Sequence, residues 1–214
     1  TDPKTGLEDK SSVLAIGSGE RGLLGRYGAL TGLSAGDSNR LNLGTVRTEE
    51  SVFPSFAPHD ISVLDYLTGA SACRIEAKGA KFLQDRVYDS TLVQLEYPGN
   101  VHAHIYVSWL HPYKQQLLVV AGSKGMLSFD DAADGKEIRF YNKRIDFENG
   151  VPVKVEAPDE IIPYEKKMPL EEELRYFVEH LDSTIGINGG EAGYEVVKVL
   201  ETVQQIIENN GQQE

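Results

Sequence analysis

A chain of 214 residues, 40% hydrophobic and 25% charged, is long enough to bury a core as one large domain or two small ones, which excludes bulk disorder. Its 21 basic and 33 acidic residues give a net charge of −12, which opposes binding to nucleic acid or anionic membranes. The single cysteine, Cys73, excludes an intramolecular disulfide and a cysteine-rich zinc site. The apolar runs are too short to span a bilayer, and the polar N-terminus does not resemble a secretion signal. We therefore expect a cytoplasmic protein.

The first 37 residues are rich in glycine and partly match the dinucleotide-binding fingerprint. A short apolar run, residues 13–16, is followed by a glycine turn, and an acidic residue lies further on where a ribose-binding acid is expected. The candidate cofactor-binding residues are Gly17, Gly19, Gly22 and Asp37. Residues 23–33 should then form a helix, but they contain three more glycines, each costing about 1 kcal/mol in a helix. We interpret residues 1–37 as a lead-in, or as a short Rossmann-like remnant of a dinucleotide-binding domain, followed by a second domain over residues 38–214.

The next segment predicts a strand, a loop and then a helix that begins near a histidine, His59. Residues 39–43 have the pattern of a strand, residues 45–54 form a polar loop, and apolar spacing predicts a helix over about residues 58–67, with Pro58 at its start. His59 lies where the irregular segment becomes helical. An imidazole titrating near neutrality can accept a proton from a hydroxyl and return it, which suits alcohol oxidation. The alternative is that His59 only hydrogen-bonds a loop.

A run of strands comes next. The predicted strands are residues 71–77, 91–97, 101–110, 115–121, 126–129 and 137–141. Short turns link most neighbours, so the sheet should be largely antiparallel. Alternation in residues 101–109 places one face on helices and leaves His102, His104 and Tyr106 on a polar, aromatic face, which is either solvated or in contact with a second subunit. We discard a metal site at the two histidines, because no third ligand lies at a convincing spacing.

Residues 142–168 contain three prolines, which suggests an edge strand and a wandering connection. Two scaffold helices then end the chain. Pro169 opens one helix, whose apolar stripe is Leu170, Leu174, Phe177, Val178 and Leu181. A second helix is predicted over about residues 191–208. The whole pattern predicts an α+β fold, with a large, mainly antiparallel sheet and helices packed on one face.

Several segments together resemble the C-terminal domain of the Gfo/Idh/MocA oxidoreductases. The segments are residues 38–44 (SNRLNLG), 56–61 (FAPHDI), 107–112 (VSWLHP), 125–131 (GMLSFDD) and 169–174 (PLEEEL). They are most similar to the branch that acts on nucleotide-activated amino sugars, such as the UDP-N-acetylglucosamine 3-dehydrogenases. The resemblance extends from Ser38 to the C-terminus. It implies that the nucleotide-binding domain is missing or vestigial in this chain.

The resemblance also implies site residues. His59 corresponds to the family's catalytic histidine, which accepts the hydroxyl proton while a hydride passes to the nicotinamide of NAD or NADP. Many members have an aspartate four residues earlier, where this chain has Ser55. Arg40 would hold a carboxylate or phosphate of the substrate, and Arg47 is a weaker candidate. The candidates for bonding sugar hydroxyls are Asn39 and Asn42.

Three functional hypotheses follow. The first is an NAD(P)-linked sugar or nucleotide-sugar dehydrogenase, whose nucleotide domain is vestigial, absent from this chain or supplied by another chain. The second is a non-catalytic binding or assembly module that forms a homo-oligomer through the sheet, supported by the aromatic residues Tyr106 and Tyr113. The third is a truncated, inactive product. In all three, nucleic acid and membrane partners are not expected. The particular sugar and the choice between NAD and NADP are not encoded in this segment.

Overall fold

A computed structural model describes residues 33–183, 185 and 189–211 of the chain. The strands are β1 (Leu33–Leu41), β2 (Arg74–Ala80), β3 (Ser90–Tyr97), β4 (Val101–Ser108), β5 (Gln115–Gly122), β6 (Gly125–Asp130), β7 (Ile138–Tyr141), β8 (Lys143–Glu148), β9 (Val151–Glu156) and β10 (Glu160–Ile162). The helices are α1 (Val52–Phe56), α2 (Pro58–Thr68), α3 (Pro169–Glu179) and α4 (Gly190–Gly211). The fold is α+β with a large, mainly antiparallel sheet, which confirms the predicted fold class.

One compact unit comprises residues 35–118 and 190–211. Its strands have the order β1-β4-β3-β2, and helices α1, α2 and α4 pack against them. β3 is antiparallel to both β4 and β2, whereas β1 is parallel to β4. This unit contains the start of α2, and therefore His59.

Alternating side chains give this unit its core. On β4, the alternate residues Ala103, Ile105 and Val107 are buried, and Trp109 just beyond the strand is fully buried. The intervening His102, His104 and Tyr106 lie on the other face and are half-buried or exposed, as the alternation predicted. Helix α2 packs on the core with its buried apolar residues Ile61, Leu64 and Leu67. We call the face that carries His104 and Tyr106 the open face.

β1 begins earlier than the sequence predicted. The predicted strand began at Asn39, but the observed strand begins at Leu33, so the domain boundary expected at residue 38 falls inside a strand. Gly36 lies in the added part of the strand, where a Cβ would be 2.9 Å from Cδ2 of Leu64 on helix α2. Glycine therefore lets the Leu64 side chain pack closely over β1.

A second compact unit contains residues 33–34, 119–183, 185 and 189. β7 pairs in antiparallel fashion with both β6 and β10. β8 and β9 form a separate two-stranded hairpin. The edge strand predicted within residues 142–168 is therefore present as β9, but the wandering connection predicted beside it was wrong for β8. The hairpin turns at Asn149 and Gly150, which have φ values of 51° and 81°, as a two-residue type I′ turn requires.

The two C-terminal helices form close to where they were predicted. α4 buries Val199, Val203 and Ile207, which lie four residues apart and therefore on one helix face. By contrast, all five apolar stripe residues predicted for α3 are exposed, and Leu181 lies beyond the end of the helix, so this stripe adds nothing to the core of the described residues. None of the helices among the described residues is both long enough and apolar enough to cross a bilayer.

Candidate functional site

His59 is exposed in the first turn of α2. Pro58 occupies the first helical position, where its missing N–H costs nothing, and the preceding Ala57 provides no side-chain cap. The imidazole is therefore accessible to a ligand, and it lies outside the apolar core. The helix start that was predicted at Pro58 is confirmed.

A buried carboxylate follows His59 directly. Asp60 is only 6% exposed, and two residues of β1 bind its two oxygens. The Ser38 hydroxyl donates to Oδ1 at 2.7 Å, and Nε of Arg40 donates to Oδ2 at 2.5 Å. Ser38 and Arg40 are two residues apart on one strand, so both side chains leave β1 on the face that α2 covers. We call these three residues the Asp60 clamp.

The clamp offsets part of the cost of burying the Asp60 charge. Burial raises the pKa of the Asp60 carboxyl above its ordinary value, because a charged carboxylate loses its hydration in the protein interior. The positive charge of Arg40 opposes this rise, as do the hydrogen bonds from Ser38 and Arg40 and the charge of a protonated His59. Breaking one of these contacts would leave a buried carboxylate partly uncompensated.

The hydroxyl of Ser55 is buried and has no hydrogen-bond partner among the described residues. Ser55 lies on α1, four residues before His59, at the position where the family resemblance implies an aspartate. A buried hydroxyl without a partner is unusual, because it forfeits the hydrogen bond that it made to water. No carboxylate from this position faces His59 in this chain.

The other predicted substrate residues each have contacts of their own. Arg47 is exposed and forms a short ion pair with Glu50, three residues away. Asn42 lies just after β1, where its backbone N–H donates to the carbonyl of Ser108 at 3.1 Å. Asn39 on β1 is paired with Tyr106 on β4. Its side chain therefore belongs to the open face, on the opposite side of β1 from the clamp. Their proposed bonds to a sugar stay predictions.

Only one of the four predicted cofactor residues, Asp37, lies in the part of the chain that the structure describes. Gly17, Gly19 and Gly22 lie outside the described residues. Asp37 is on β1, and its Oδ1 is 3.1 Å from Nδ1 of His104 on the open face. Its side chain therefore points away from the face that carries the clamp. The cofactor-binding role proposed for all four residues stays a prediction.

No metal site is found in the described ranges: no three histidine, cysteine, aspartate or glutamate side chains come together there closely enough to hold an ion. His104 has Asp37 as its partner, and His102 has the side-chain oxygen of Asn100 at 3.4 Å.

A second buried carboxylate, Asp89, was not singled out from the sequence. Its Oδ2 accepts the backbone N–H groups of Phe82 and Leu83 at 2.6 and 2.8 Å, and its Oδ1 accepts the Trp109 indole N–H at 2.7 Å. Burial alone would raise the pKa of Asp89, but these three hydrogen bonds outweigh burial and lower it. The Ser108 hydroxyl also donates to the Asp89 carbonyl at 3.3 Å, so this network holds the end of β4. No local sequence pattern marks such a partner set.

The chain matches a known domain family. Residues 23–128, about half of the chain, match the model of the GFO/IDH/MocA C-terminal domain. The matched segment includes β1 to β5, the clamp and His59. The chain therefore carries a GFO/IDH/MocA C-terminal domain, as the resemblance predicted. No curated protein sequence matches it.

Solved oxidoreductases share the fold at low sequence identity. UDP-N-acetylglucosamine 3-dehydrogenase GnnA from Acidithiobacillus ferrooxidans is similar with a TM-score of 0.70 and 18% identity, over 83% of this chain and 56% of that one. The aldose-aldose oxidoreductase from Caulobacter crescentus gives 0.68 and 18%, over 88% and 57%. The WlbA dehydrogenase from Bordetella pertussis, solved with NADH and UDP-GlcNAcA, gives 0.65 and 14%, over 95% and 60%. This chain thus spans less than two thirds of each of these proteins.

Proposed function

We propose that this chain is the substrate domain of an NAD(P)-dependent oxidoreductase that acts on a sugar or nucleotide sugar, with His59 as the proton acceptor. The observation that carries the proposal is the exposed imidazole at the start of α2, directly before the buried Asp60 clamp, inside a GFO/IDH/MocA C-terminal domain. The relatives solved with NADH or NAD⁺ support a nicotinamide cofactor for the family.

Oxidation of a sugar hydroxyl removes a hydride from carbon and a proton from oxygen. His59 suits the second task, because a neutral imidazole nitrogen accepts a proton near neutral pH and the ring is accessible to a bound sugar. The hydride acceptor is the nicotinamide, and its binding belongs to a nucleotide domain outside the described residues. That domain is part of the same polypeptide or of another chain.

A nucleotide sugar also carries phosphates, and a chain with a net charge of −12 needs a local cation to hold them. Of the two predicted arginines, Arg47 is the one whose guanidinium is more available to a phosphate. Its partner Glu50 is only partly covered, and an ion pair at the surface is worth about 0–1 kcal/mol, so a phosphate can displace the carboxylate. Arg40, by contrast, is engaged by the buried Asp60.

The test is binding measured by saturation-transfer NMR and calorimetry, with NAD(H) and UDP-N-acetylglucosamine as ligands. The chain is tested alone and mixed with a full-length family member. We expect His59→Asn to abolish the turnover that the wild-type chain adds to that of the full-length member, while sugar binding persists, and Arg47→Gln to weaken sugar binding. His102→Asn is the matched control, because His102 lies on the open face. The proposal would be refuted if the wild-type chain bound neither NAD(H) nor UDP-N-acetylglucosamine, whether alone or in the mixture.

A second candidate function is assembly of a homo-oligomer through the open face. Leu92 and Tyr106 are opposite each other on β3 and β4, and they are 50% and 37% exposed. Such a cross-strand apolar pair on a sheet face gains free energy when another surface covers it. Light scattering tests this directly, with Tyr106→Asp as the disrupting variant and Tyr194→Asp, an exposed tyrosine on α4, as the control. A wild-type chain that stays monomeric at high concentration would rule it out.

A further inference from the structure

We propose that Asp60, held between Ser38 and Arg40, is a positioning residue for His59, and that Arg40 contributes to function through Asp60 rather than by touching the substrate. This inference rests on the proposed role of His59. Its structural part, however, is measured without any ligand.

The clamp fixes the carboxylate in both position and rotation. Each oxygen of Asp60 has its own donor, Ser38 at Oδ1 and Arg40 at Oδ2, and both donors belong to one strand. Two bonds to different oxygens prevent the carboxylate from turning, whereas a single bond would leave it free to rotate. The side chain of Arg40 is only 14% exposed, so water competes little for these contacts.

Asp60 also anchors the start of the helix. Helix α2 has no side-chain cap at Ala57, so the backbone N–H groups of its first turn lack the usual partner. The carboxylate of Asp60 lies in that turn, where the helix dipole favours negative charge. One turn later, Leu64 packs over Gly36 of β1. The clamp and this close contact together hold α2 against β1 at two successive turns.

His59 is the neighbour of Asp60 in the chain, so the anchor that fixes Asp60 also fixes the backbone from which the imidazole extends. A proton acceptor works only within hydrogen-bond reach of the hydroxyl, and a displacement of about 1 Å can cost on the order of a hundredfold in rate. The charges are coupled as well, because a protonated His59 lowers the pKa of the Asp60 carboxyl.

This arrangement separates two roles for Arg40. If Arg40 bound a substrate anion, its removal would matter whether or not Asp60 were charged. If Arg40 acts through Asp60, its removal has no further effect once Asp60 is neutral. A double-mutant cycle measured on UDP-N-acetylglucosamine binding distinguishes these two cases, and the same cycle measured on the His59 ring signals shows whether Arg40 reaches His59 through Asp60.

The experiment is ring NMR of selectively labelled histidines in the chain without ligand. The chain has five histidines, and His59→Asn identifies the His59 signals. The variants are Asp60→Asn, Arg40→Gln, Ser38→Ala and the double variant Asp60→Asn with Arg40→Gln. The control is Asp65→Asn, the same chemical change in the next turn of α2. Backbone amide spectra verify that each variant is folded.

We expect Asp60→Asn and Arg40→Gln to shift the His59 ring signals by more than the line width, and Asp65→Asn to leave them in place. The double variant should match Asp60→Asn alone. Ser38→Ala should give a smaller shift in the same direction, and it keeps the test valid if the other variants unfold. Arg40→Lys retains the charge and should restore part of the wild-type signal position. In a system with turnover, Asp60→Asn should lower kcat about tenfold or more while KM stays nearly constant.

The inference is overturned if folded Asp60→Asn, or folded Ser38→Ala where Asp60→Asn does not fold, leaves the His59 ring signals at their wild-type positions. It is also overturned if Arg40→Gln shifts these signals as much in the Asp60→Asn background as in wild type. A wild-type chain that binds neither NAD(H) nor UDP-N-acetylglucosamine would instead refute the proposed function. That outcome leaves the ring signals readable, so the two failures are distinguishable.

Discussion

Replacing Asp65 with asparagine should make the chain more stable at pH 8 than wild type and remove part of its pH dependence. Asp65 lies on α2, where its Oδ1 accepts the hydroxyl of Tyr97 at 2.8 Å. Burial raises the pKa of Asp65 from 3.8 to about 6; the negative charge of Glu195 adds to the rise, and the Tyr97 bond opposes it. Asparagine keeps an oxygen for that hydroxyl, but it carries no charge at any pH.

The direction follows from proton linkage. The folded chain holds the Asp65 proton more tightly than the unfolded chain, so the associated stability is fully present below the unfolded pKa and is lost as the pH rises through about 6. A rise of about 2 pKa units corresponds to about 3 kcal/mol in total. Of this, about 1.4 kcal/mol falls between pH 5 and pH 8. The asparagine variant avoids this loss.

Urea unfolding at pH 5 and pH 8 measures the effect, with fluorescence of the fully buried Trp109 as the signal. We expect the stability difference between Asp65→Asn and wild type to grow by about 1 kcal/mol or more from pH 5 to pH 8. Asp85→Asn is the matched control, because Asp85 is exposed and the same charge change there should give no pH-dependent difference. An Asp65→Asn difference equal at both pH values would refute the reasoning.

Three further substitutions test local hydrogen bonding, packing and turn geometry by urea unfolding. Asp89→Ala leaves two loop amides and the Trp109 indole N–H without their acceptor and should cost about 2–4 kcal/mol; a loss under about 1 kcal/mol would mean that water replaces the carboxylate. Gly79→Ala places a Cβ 2.5 Å from the Tyr88 ring and should cost about 1–3 kcal/mol, and wild-type stability would show that the ring moves aside. Gly150→Ala strains the β8–β9 turn at φ 81° and should cost about 1 kcal/mol, whereas a neutral effect would argue against the type I′ geometry.

The sequence predicted those elements whose signal is local. Residues 101–109 alternate apolar and polar side chains, and this alternation alone assigned the core face of β4 correctly. The start of α2 was predicted from Pro58 and the apolar spacing behind it, and Gly69 ends the helix with φ 68°. These local signals were therefore enough to place His59 at a helix start.

One error came from weighing local signals against each other. Prolines in residues 142–168 suggested an irregular connection, although Asn149-Gly150 between alternating apolar residues is a strong hairpin signal. Pro152 is compatible with that hairpin, because β9 pairs with a strand on one side only. Pro152 is paired with Phe147 of β8. The Asn149-Gly150 dipeptide was therefore a better guide to the structure of this segment than the prolines.

The clamp could not be predicted, because its partners are 20 and 22 residues apart and meet only through tertiary packing. The parallel pairing of β1 with β4 aligns Ser38 and Arg40 with Ile105 and Val107 on the core face. No local pattern in residues 33–41 shows which strand β1 joins or which helix covers it. Only that placement shows that the carboxylate nearest to Arg40 belongs to the chain itself.

The chemistry assigned to Arg40 from sequence was recognition of a carboxylate by its guanidinium, and the structure provides such a carboxylate inside the chain. Asp60 is buried and also accepts a hydrogen bond from Ser38. A ligand that bound Arg40 would have to compete with this carboxylate, which is part of the same chain and stays beside Arg40. Arg47 faces a weaker competitor, because the Glu50 side chain is partly exposed and surface pairs exchange readily. Local burial of the partner, rather than the arginine itself, therefore decides which of the two cations is available to a phosphate.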